Sequence, residues 1–172
     1  MRTITDFSKH QLEIIKEEHV LIHNFHIPGT IANSIKFINT SGILAVTGDY
    51  GNWIFCREFH PSKDGRVSDN YWLEKLSIAS SQNPYEFDSE KAQQEIKDLL
   101  ENKDHDFSED EKEWLQNLSN AADEGEYEYI SVVQDHPSSF ETEMIPRGKI
   151  VKYWLLVIFD AFEEIVKILK TM

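Results

Sequence analysis

Apolar and polar residues alternate along the first 60 residues, and this period of two predicts β-strands. Ile35 and Phe37 share one face of such a strand, while Lys36 and Ile38 lie on the other. Residues 48–52 form a hairpin signal, because their two glycines adopt positive φ without steric cost. One more strand is expected up to residue 60, with an aromatic-rich face of Trp53, Phe55, Arg57 and Phe59. We predict an antiparallel meander of four or five strands.

After Pro61 the apolar residues recur every three or four positions, which predicts helices. Ser68 or Asp69 is suited to cap a first helix, and Asp88 or Ser89 a second, because their side-chain oxygens accept hydrogen bonds from free backbone amides. The expected apolar stripes are Trp72, Leu73, Leu76 and Ala79 in the first helix, and Ala92, Ile96, Leu99 and Leu100 in the second.

A third helix is expected to begin with a capping box, in which Ser108 and Glu111 satisfy each other's backbone amides. Gly125 is expected to end this helix. Its inward positions would be Trp114, Leu115, Leu118 and Ala122. Residues 127–134 are ambiguous, because their Tyr, Ile and Val content favours a strand while their neighbours are helical.

The most regular pattern covers residues 149–170, where apolar residues recur at alternating steps of four and three. A long helix follows, favoured near its start by Pro146, and we expect it to pack on the sheet. A seam for a partner helix is the alternative. The uninterrupted apolar run at residues 153–159 is far shorter than the ~20 residues that a bilayer requires, so no membrane association is expected.

These patterns predict an α+β protein, with an N-terminal meander followed by helices and a long C-terminal helix on the sheet. With 172 residues, of which 40% are hydrophobic, the chain is expected to form a single domain over residues 1–172. Residues 1–60 would be its sheet part and residues 66–172 its helical part. A lone cysteine, Cys56, and a polar start at residues 1–6 favour a reducing compartment, and we expect a cytoplasmic location.

Charge is the most distinctive feature of the composition. The formal net charge is −14, which argues against direct binding to nucleic acid or anionic lipid. Residues 86–128 hold 16 acids and 4 lysines, so this stretch alone carries −12 and the remainder of the chain −2. The acidity is therefore regional.

Two interpretations of the acidic stretch stay open at this point. Solvated helix faces are one, since carboxylates aid solubility and favour helix N-termini. A docking surface for a basic, nucleic-acid-handling protein is the other, with partner-binding candidates Asp104, Asp106, Glu109, Asp110, Glu111 and Glu113. No single helix here reaches the charge density of duplex DNA, so a neighbouring helix would have to contribute. Tyr50, expected at an exposed hairpin tip, is a candidate anchor for the same partner.

The remaining candidate chemistry is weak. His19, His23 and His26 would not all face one side of a strand, so we expect no metal site, and no cofactor is expected either. Cys56 is expected to be a buried thiol on a strand, too far from His60 to be activated. The first candidates for acid–base chemistry are Asp64, Asp69 and Glu74, near the junction of sheet and helices. No catalytic residues are assigned, and an enzyme is the less favoured class.

Several segments carry a family resemblance: VTGDYGNWIF at residues 46–55, REFHP at residues 57–61, Asp69-x-Tyr71-Trp72-x-Glu74-Lys75, and Val157-x-Phe159-Asp160-Ala161-Phe162. Together they resemble small proteins encoded in phages and prophages of low-GC Gram-positive bacteria. Small acidic phage proteins of this kind are often host-defence inhibitors, including anti-CRISPR proteins, so the resemblance implies an inhibitor by analogy of class.

Three hypotheses follow from these observations. The first is a non-enzymatic phage inhibitor that binds a basic surface of a host protein, such as a CRISPR nuclease. The second is a metal-dependent nuclease, whose carboxylates would hold Mg²⁺ and whose basic patch would be Arg57, Lys63 and Arg66. The third is a phage assembly component that forms oligomers through the C-terminal helix. The sequence leaves the oligomeric state and the target open.

Overall fold

A computed structural model describes residues 5–79 and 83–172, with only the backbone at Ile78 and Ala79. The chain divides into two compact units: Met1–Pro84 with Lys152–Met172, called the sheet unit, and Tyr85–Val151, called the acidic unit. The acidic unit holds 19 acids and 6 bases, a net charge of −13, which leaves −1 for the sheet unit. The prediction of one domain over all 172 residues stays a prediction.

The sheet unit is built on one antiparallel sheet in which the strands follow chain order. The strands are β1 (Gln11–Glu17), β2 (Val20–His26), β3 (Ile35–Thr40), β4 (Ile43–Gly48), β5 (Trp53–Phe55) and β6 (Leu76–Ala79). The predicted meander is confirmed, and a sixth strand extends it. Gly48 has φ +140°, and a Cβ there would lie 2.1 Å from the Ser34 carbonyl oxygen, so glycine is required beside the start of β3.

The described residues of the sheet unit also form three helices: α1 (Pro61–Asp64), α2 (Asp69–Lys75) and the long C-terminal helix α6 (Tyr153–Thr171). Helix α6 packs on the inner face of the sheet, where the Phe162 ring lies 5.9 Å from that of Phe37. Trp72 of α2 stacks between Phe59 at 4.0 Å and Phe159 at 5.2 Å, and all three side chains are buried. The predicted long helix on the sheet is confirmed.

Three predicted boundaries are wrong for a common reason, which is strand pairing over long sequence distances. Strand β5 ends at Phe55 instead of residue 60, after a register shift against β6 between Ile54 and Phe55. Residues 76–79, expected to continue a helix, form β6 because they pair with β5. Residues 149–151, expected at the start of the last helix, form a strand that pairs with residues 85–87.

The acidic unit comprises a two-stranded ribbon and three helices. Its elements are β7 (Tyr85–Phe87), α3 (Ser89–Glu101), α4 (Glu109–Glu124), α5 (Glu126–Gln134), a 3₁₀ turn at Thr142–Met144, and β8 (Lys149–Val151). The ambiguous residues 127–134 are therefore helical. The buried core of this unit is Ala92, Ile96, Phe107, Trp114, Leu115, Leu118, Ala122, Tyr129 and Phe140. Leu100, placed on the apolar stripe by the sequence, is 43% exposed.

The predicted caps are confirmed. Asp88 caps α3 by accepting a hydrogen bond from the Lys91 amide at 2.7 Å. Ser108 and Glu111 form the capping box of α4, and Gly125 follows its last residue with φ +131°.

Candidate functional site

The three helices of the acidic unit run antiparallel to their neighbours. Gln93, in the second turn of α3, donates a hydrogen bond to Asp123 at the end of α4, 2.5 Å away. Trp114, early in α4, donates from its indole nitrogen to the Val132 carbonyl near the end of α5, 3.0 Å away. The C-terminal ends of α3 and α5 therefore lie beside the N-terminal end of α4.

This arrangement gathers carboxylates from four segments at one end of the helices. We call the group the acidic end: Asp98 and Glu101 of α3, Asp104 and Asp106 of the following loop, Glu109, Asp110 and Glu113 of α4, and Asp135 after α5. All eight are exposed. Lys97 pairs with Glu101 at 3.8 Å and Lys112 with Glu109 at 3.0 Å, so lysines offset only part of the charge. Five of the seven sequence candidates, all but Glu111 and Tyr50, belong to this group.

The placement of some of these carboxylates is electrostatically unfavourable for folding. Glu109 and Asp110 lie in the first turn of α4, where the helix dipole favours negative charge. Asp98 and Glu101 lie in the last turn of α3, where the dipole disfavours negative charge. That turn holds no basic residue, and Lys97, one residue before it, pairs with Glu101. Asp135 caps the C-terminus of α5 under the same conditions. Stabilisation of helices therefore explains only part of the acidic end.

Glu111 differs from its neighbours, since it is only 9% exposed and its carboxylate serves the fold. One oxygen accepts hydrogen bonds from the Ser108 amide and hydroxyl at 2.8 Å, and the other accepts from the Ser139 hydroxyl at 2.8 Å. These donors, the Ser108 amide first, lower the pKa of Glu111 below its usual value. We therefore leave Glu111 out of the acidic end.

Glu95 is a second carboxylate of the acidic stretch that serves the fold. One of its oxygens accepts hydrogen bonds from the amides of Arg147 at 2.9 Å and Gly148 at 3.0 Å. Gly148 has φ +54°, and a Cβ there would lie 2.6 Å from that of Ala92, so this loop requires both the glycine and the carboxylate. The charge of residues 86–128 therefore overstates the charge that a partner can reach.

A cleft of about 460 Å³ opens at the acidic end, between α4 and the segment after α5. Asp110, Glu113 and Asp135 line it together with Trp114. Converging carboxylates bind a guanidinium or ammonium group through charge-assisted hydrogen bonds, whereas the Trp114 ring is only 6% exposed and belongs to the core of the unit. The cleft is therefore chemically suited to an arginine or lysine side chain of another protein.

Tyr50 lies in the sheet unit and is half-buried instead of exposed at a hairpin tip. Its hydroxyl donates to the Asn33 side-chain oxygen at 3.0 Å, and its ring lies 5.6 Å from that of Trp154. Trp154 and Tyr153 are 49% and 45% exposed, so they present an aromatic patch with Tyr50. In the sequence, Trp154 belongs to the apolar run at residues 153–159, which does not by itself distinguish exposed from buried positions. The available signal was its position in the first turn, one residue before the regularly spaced Leu155.

The histidines and the cysteine are dispersed. His19 lies in the β1–β2 turn, whereas His23 is buried on the inner face of the sheet. Within residues 5–79 and 83–172, no three His, Cys, Asp or Glu side chains are placed so that they could hold a metal ion. Cys56 is exposed, which corrects the expectation of a buried thiol, because β5 ends one residue before it.

The three carboxylates suspected of acid–base chemistry do not converge. Asp64 accepts hydrogen bonds from the Arg57 guanidinium at 2.6 Å and from the His60 amide at 2.6 Å. Asp69 lies in the first turn of α2, and Glu74 pairs with the adjacent Lys75. Arg57 also donates to the Tyr71 hydroxyl at 2.9 Å, so this guanidinium is held within the fold.

None of the helices in the described part of the chain has the length and apolar character needed to cross a membrane. No protein-family model, curated protein or solved structure matches the chain. Its function must therefore be argued from the residues themselves.

Proposed function

We propose that this chain is a non-enzymatic binding protein that presents the acidic end to a basic, nucleic-acid-handling surface of another protein. The observation that carries the proposal is the cleft at the acidic end, where the carboxylates of Asp110, Glu113 and Asp135 come together. In addition, Asp98, Glu101 and Asp135 are acidic where helix dipoles disfavour acids, and residues that break a local folding rule are candidates for function. The cleft supplies a place for a cationic side chain.

Charge density limits the form of this interaction. The acidic end holds eight carboxylates, against Lys97, Lys103 and Lys112 in the same segments, for a net charge of −5. Duplex DNA carries about 12 charges over 20 Å. We therefore propose competition for part of a basic groove, anchored by the cleft, and not a full imitation of the duplex.

A narrower version follows from the resemblance of the sequence to small phage and prophage proteins. In this version the protein is phage-encoded, acts in the cytoplasm of the bacterial host and inhibits a defence protein, in the manner of an anti-CRISPR protein. The partner would be a CRISPR nuclease, whose nucleic-acid channel is positively charged.

Two matched variants test the broader proposal. The first neutralises four carboxylates of the acidic end: Asp98→Asn, Glu101→Gln, Glu113→Gln and Asp135→Asn. The control neutralises four exposed carboxylates at the opposite end of the helices: Asp123→Asn, Glu124→Gln, Glu126→Gln and Glu128→Gln. Both sets remove the same charge, and the amide introduced by Asp123→Asn keeps an oxygen that can accept from Gln93.

Binding would be measured against a panel of purified proteins with basic nucleic-acid grooves, with and without DNA bound, at 50 and 300 mM salt. We expect wild type and control to bind the DNA-free form, and the acidic-end variant to lose roughly tenfold or more in affinity. Affinity should fall with salt because the charges are exposed. Equal affinities of the two variants, or no binding to any panel member, would contradict the proposal.

The narrower version has its own assay. Guide-loaded CRISPR nucleases would be incubated with the protein before target DNA is added, and cleavage would be followed. Loss of cleavage with wild type and control, restored by the acidic-end variant, is the expected result. Binding without any effect on cleavage would overturn the narrower version alone.

A further inference from the structure

Strand β1 forms a long, regular edge of the sheet. Within residues 5–79 and 83–172, no other strand pairs with its outer side. Its seven residues pair with β2 without a register shift, and all but Leu12 are exposed. Ile14 and Ile15 are 44% and 37% exposed. Sheet edges are usually blunted by charged side chains, proline, bulges or short length. Strand β1 has only the charges of Glu13, Lys16 and Glu17, whereas the opposite edge strand, β6, has four residues beside a register shift.

The charges of β1 distinguish among the ways in which two such strands could pair. When two copies of β1 pair antiparallel about a twofold axis, one residue at the axis lies opposite the same residue of the second copy. If at least five residues are to pair, this central residue is Glu13, Ile14 or Ile15. Centring on Glu13 places that carboxylate opposite itself. Centring on Ile15 places Glu13 opposite Glu17. Like charges directly opposite each other are destabilising, so both registers are disfavoured.

The register centred on Ile14 avoids these conflicts and pairs all seven residues. It places Ile14 opposite Ile14, Leu12 opposite Lys16, Glu13 opposite Ile15, and Gln11 opposite Glu17 of the second copy. The register with the most hydrogen-bonding residues is thus also the register in which no like charges lie directly opposite. The edge is self-complementary.

We infer that β1 is a docking surface for a second copy of this chain, joined by antiparallel strand addition about an axis at Ile14. Such pairing supplies main-chain hydrogen bonds to the open edge and covers the exposed Ile14. Residues 5–10 leave the edge accessible, because Phe7 and His10 pack against Phe25 of β2. One strand pair buries less than the ~800 Å² per partner of a stable interface, so a weak, concentration-dependent dimer is expected.

Gln11 offers a matched test of the register. Its side chain faces Glu17 of the second copy only when the pair is centred on Ile14, and it is exposed. Gln11→Lys would create two attractive cross-strand pairs, and Gln11→Glu two repulsive ones. Sedimentation velocity over a range of protein concentrations should give dimer dissociation constants about tenfold apart, with the lysine variant tighter than wild type and the glutamate variant weaker.

A second pair of variants tests the edge itself. Ile14→Lys places two ammonium groups on the axis and should abolish the dimer, whereas Ile43→Lys, at a similarly exposed position on β4, should leave it unchanged. Both proteins should keep the wild-type circular dichroism spectrum. A wild-type chain that is monomeric at all concentrations up to about 1 mM would overturn the inference. So would a dimer that Ile14→Lys leaves intact, or one that both Gln11 variants shift in the same direction.

Discussion

The two units of this protein use their side chains for different purposes. The sheet unit is nearly neutral and encloses stacked aromatic rings, with Trp72 held between Phe59 and Phe159. The acidic unit carries −13 and a smaller core, and some of its carboxylates hold its own backbone while others remain exposed. The net charge of this protein is therefore not distributed evenly between its two units. Here nearly all of the net charge lies in one compact unit, although both units pack aromatic rings in their cores.

The largest expected effect concerns the aromatic stack of the sheet unit. Trp72→Ala should cost about 3–5 kcal/mol, because it leaves a cavity among buried rings. Amide hydrogen exchange, measured at increasing urea concentrations, should show that the amides of β3 and β4 lose protection in this variant. The amides of α4 should stay as protected as in the wild type. The exposed Trp154→Ala serves as a control and should cost far less. Equal loss of protection in α4 would show that the two units unfold together.

The second prediction concerns the pH dependence of stability, which we expect His23 to produce in the sheet unit. Burial, and then the nearby His60, lowers the pKa of His23 to about 4. An unfolded chain takes up this proton near pH 6.5, whereas the folded sheet unit resists it, so stability should fall as the pH drops from 6.5 to 4. The loss should reach at most about 3 kcal/mol.

Urea titrations at several pH values would measure this dependence. His23→Leu should flatten it, while His19→Gln, in an exposed turn, should leave it unchanged. If His23→Leu left the pH dependence of the unfolding free energy unchanged, the assignment of this dependence to His23 would be wrong.

A third prediction compares the helix caps of the two units. Ser108→Ala should cost about 1 kcal/mol, because the hydroxyl belongs to a capping box and also donates to Glu111. Ser68→Ala, at the cap of α2, should cost less, since its hydroxyl accepts from the Tyr71 amide over 3.4 Å. Urea midpoints at neutral pH measure both. Equal losses of unfolding free energy in the two variants would show that the capping box of α4 contributes no more than the single capping hydrogen bond of α2.

The smallest effect tests whether the acidic end is placed against stability. Asp98→Asn at the C-terminus of α3 should stabilise the acidic unit by a few tenths of a kcal/mol, and Glu90→Gln in the first turn of the same helix should destabilise it similarly. The amide introduced by Asp98→Asn retains an oxygen that can accept from Gln94, as the native carboxylate does. Thermal unfolding at low salt would detect the difference in sign. Destabilisation by Asp98→Asn would show that this carboxylate serves the stability of α3.

Local patterns predicted much of this fold. The hairpin glycines and alternating residues specified the first four strands, and the capping box specified the start of α4. Helix α2 was extended too far because Leu76 continues an apolar period, although a strand 20 residues earlier supplies its backbone partners. Pairing between distant segments leaves no local periodicity by which it could be recognised.

The candidate site was predictable in location but not in detail. Exposed acids at residues 104–113 stood out by their density. The contributions of Asp98 and Asp135 required the antiparallel order of α3, α4 and α5, which the sequence does not state. Glu111 could have been separated from the rest, since its place in the capping box already assigned its carboxylate to the backbone.

The acidic unit begins and ends at neighbouring points of the sheet unit. The Lys152 amide donates to the Pro84 carbonyl over 2.9 Å. The residue before the acidic unit and the residue after it are therefore joined by a hydrogen bond. An insertion of this geometry can be lengthened, exchanged or lost without cutting a strand of the host sheet. The surface of the acidic unit can therefore be changed for a new partner while the path of the chain through the six-stranded sheet is kept.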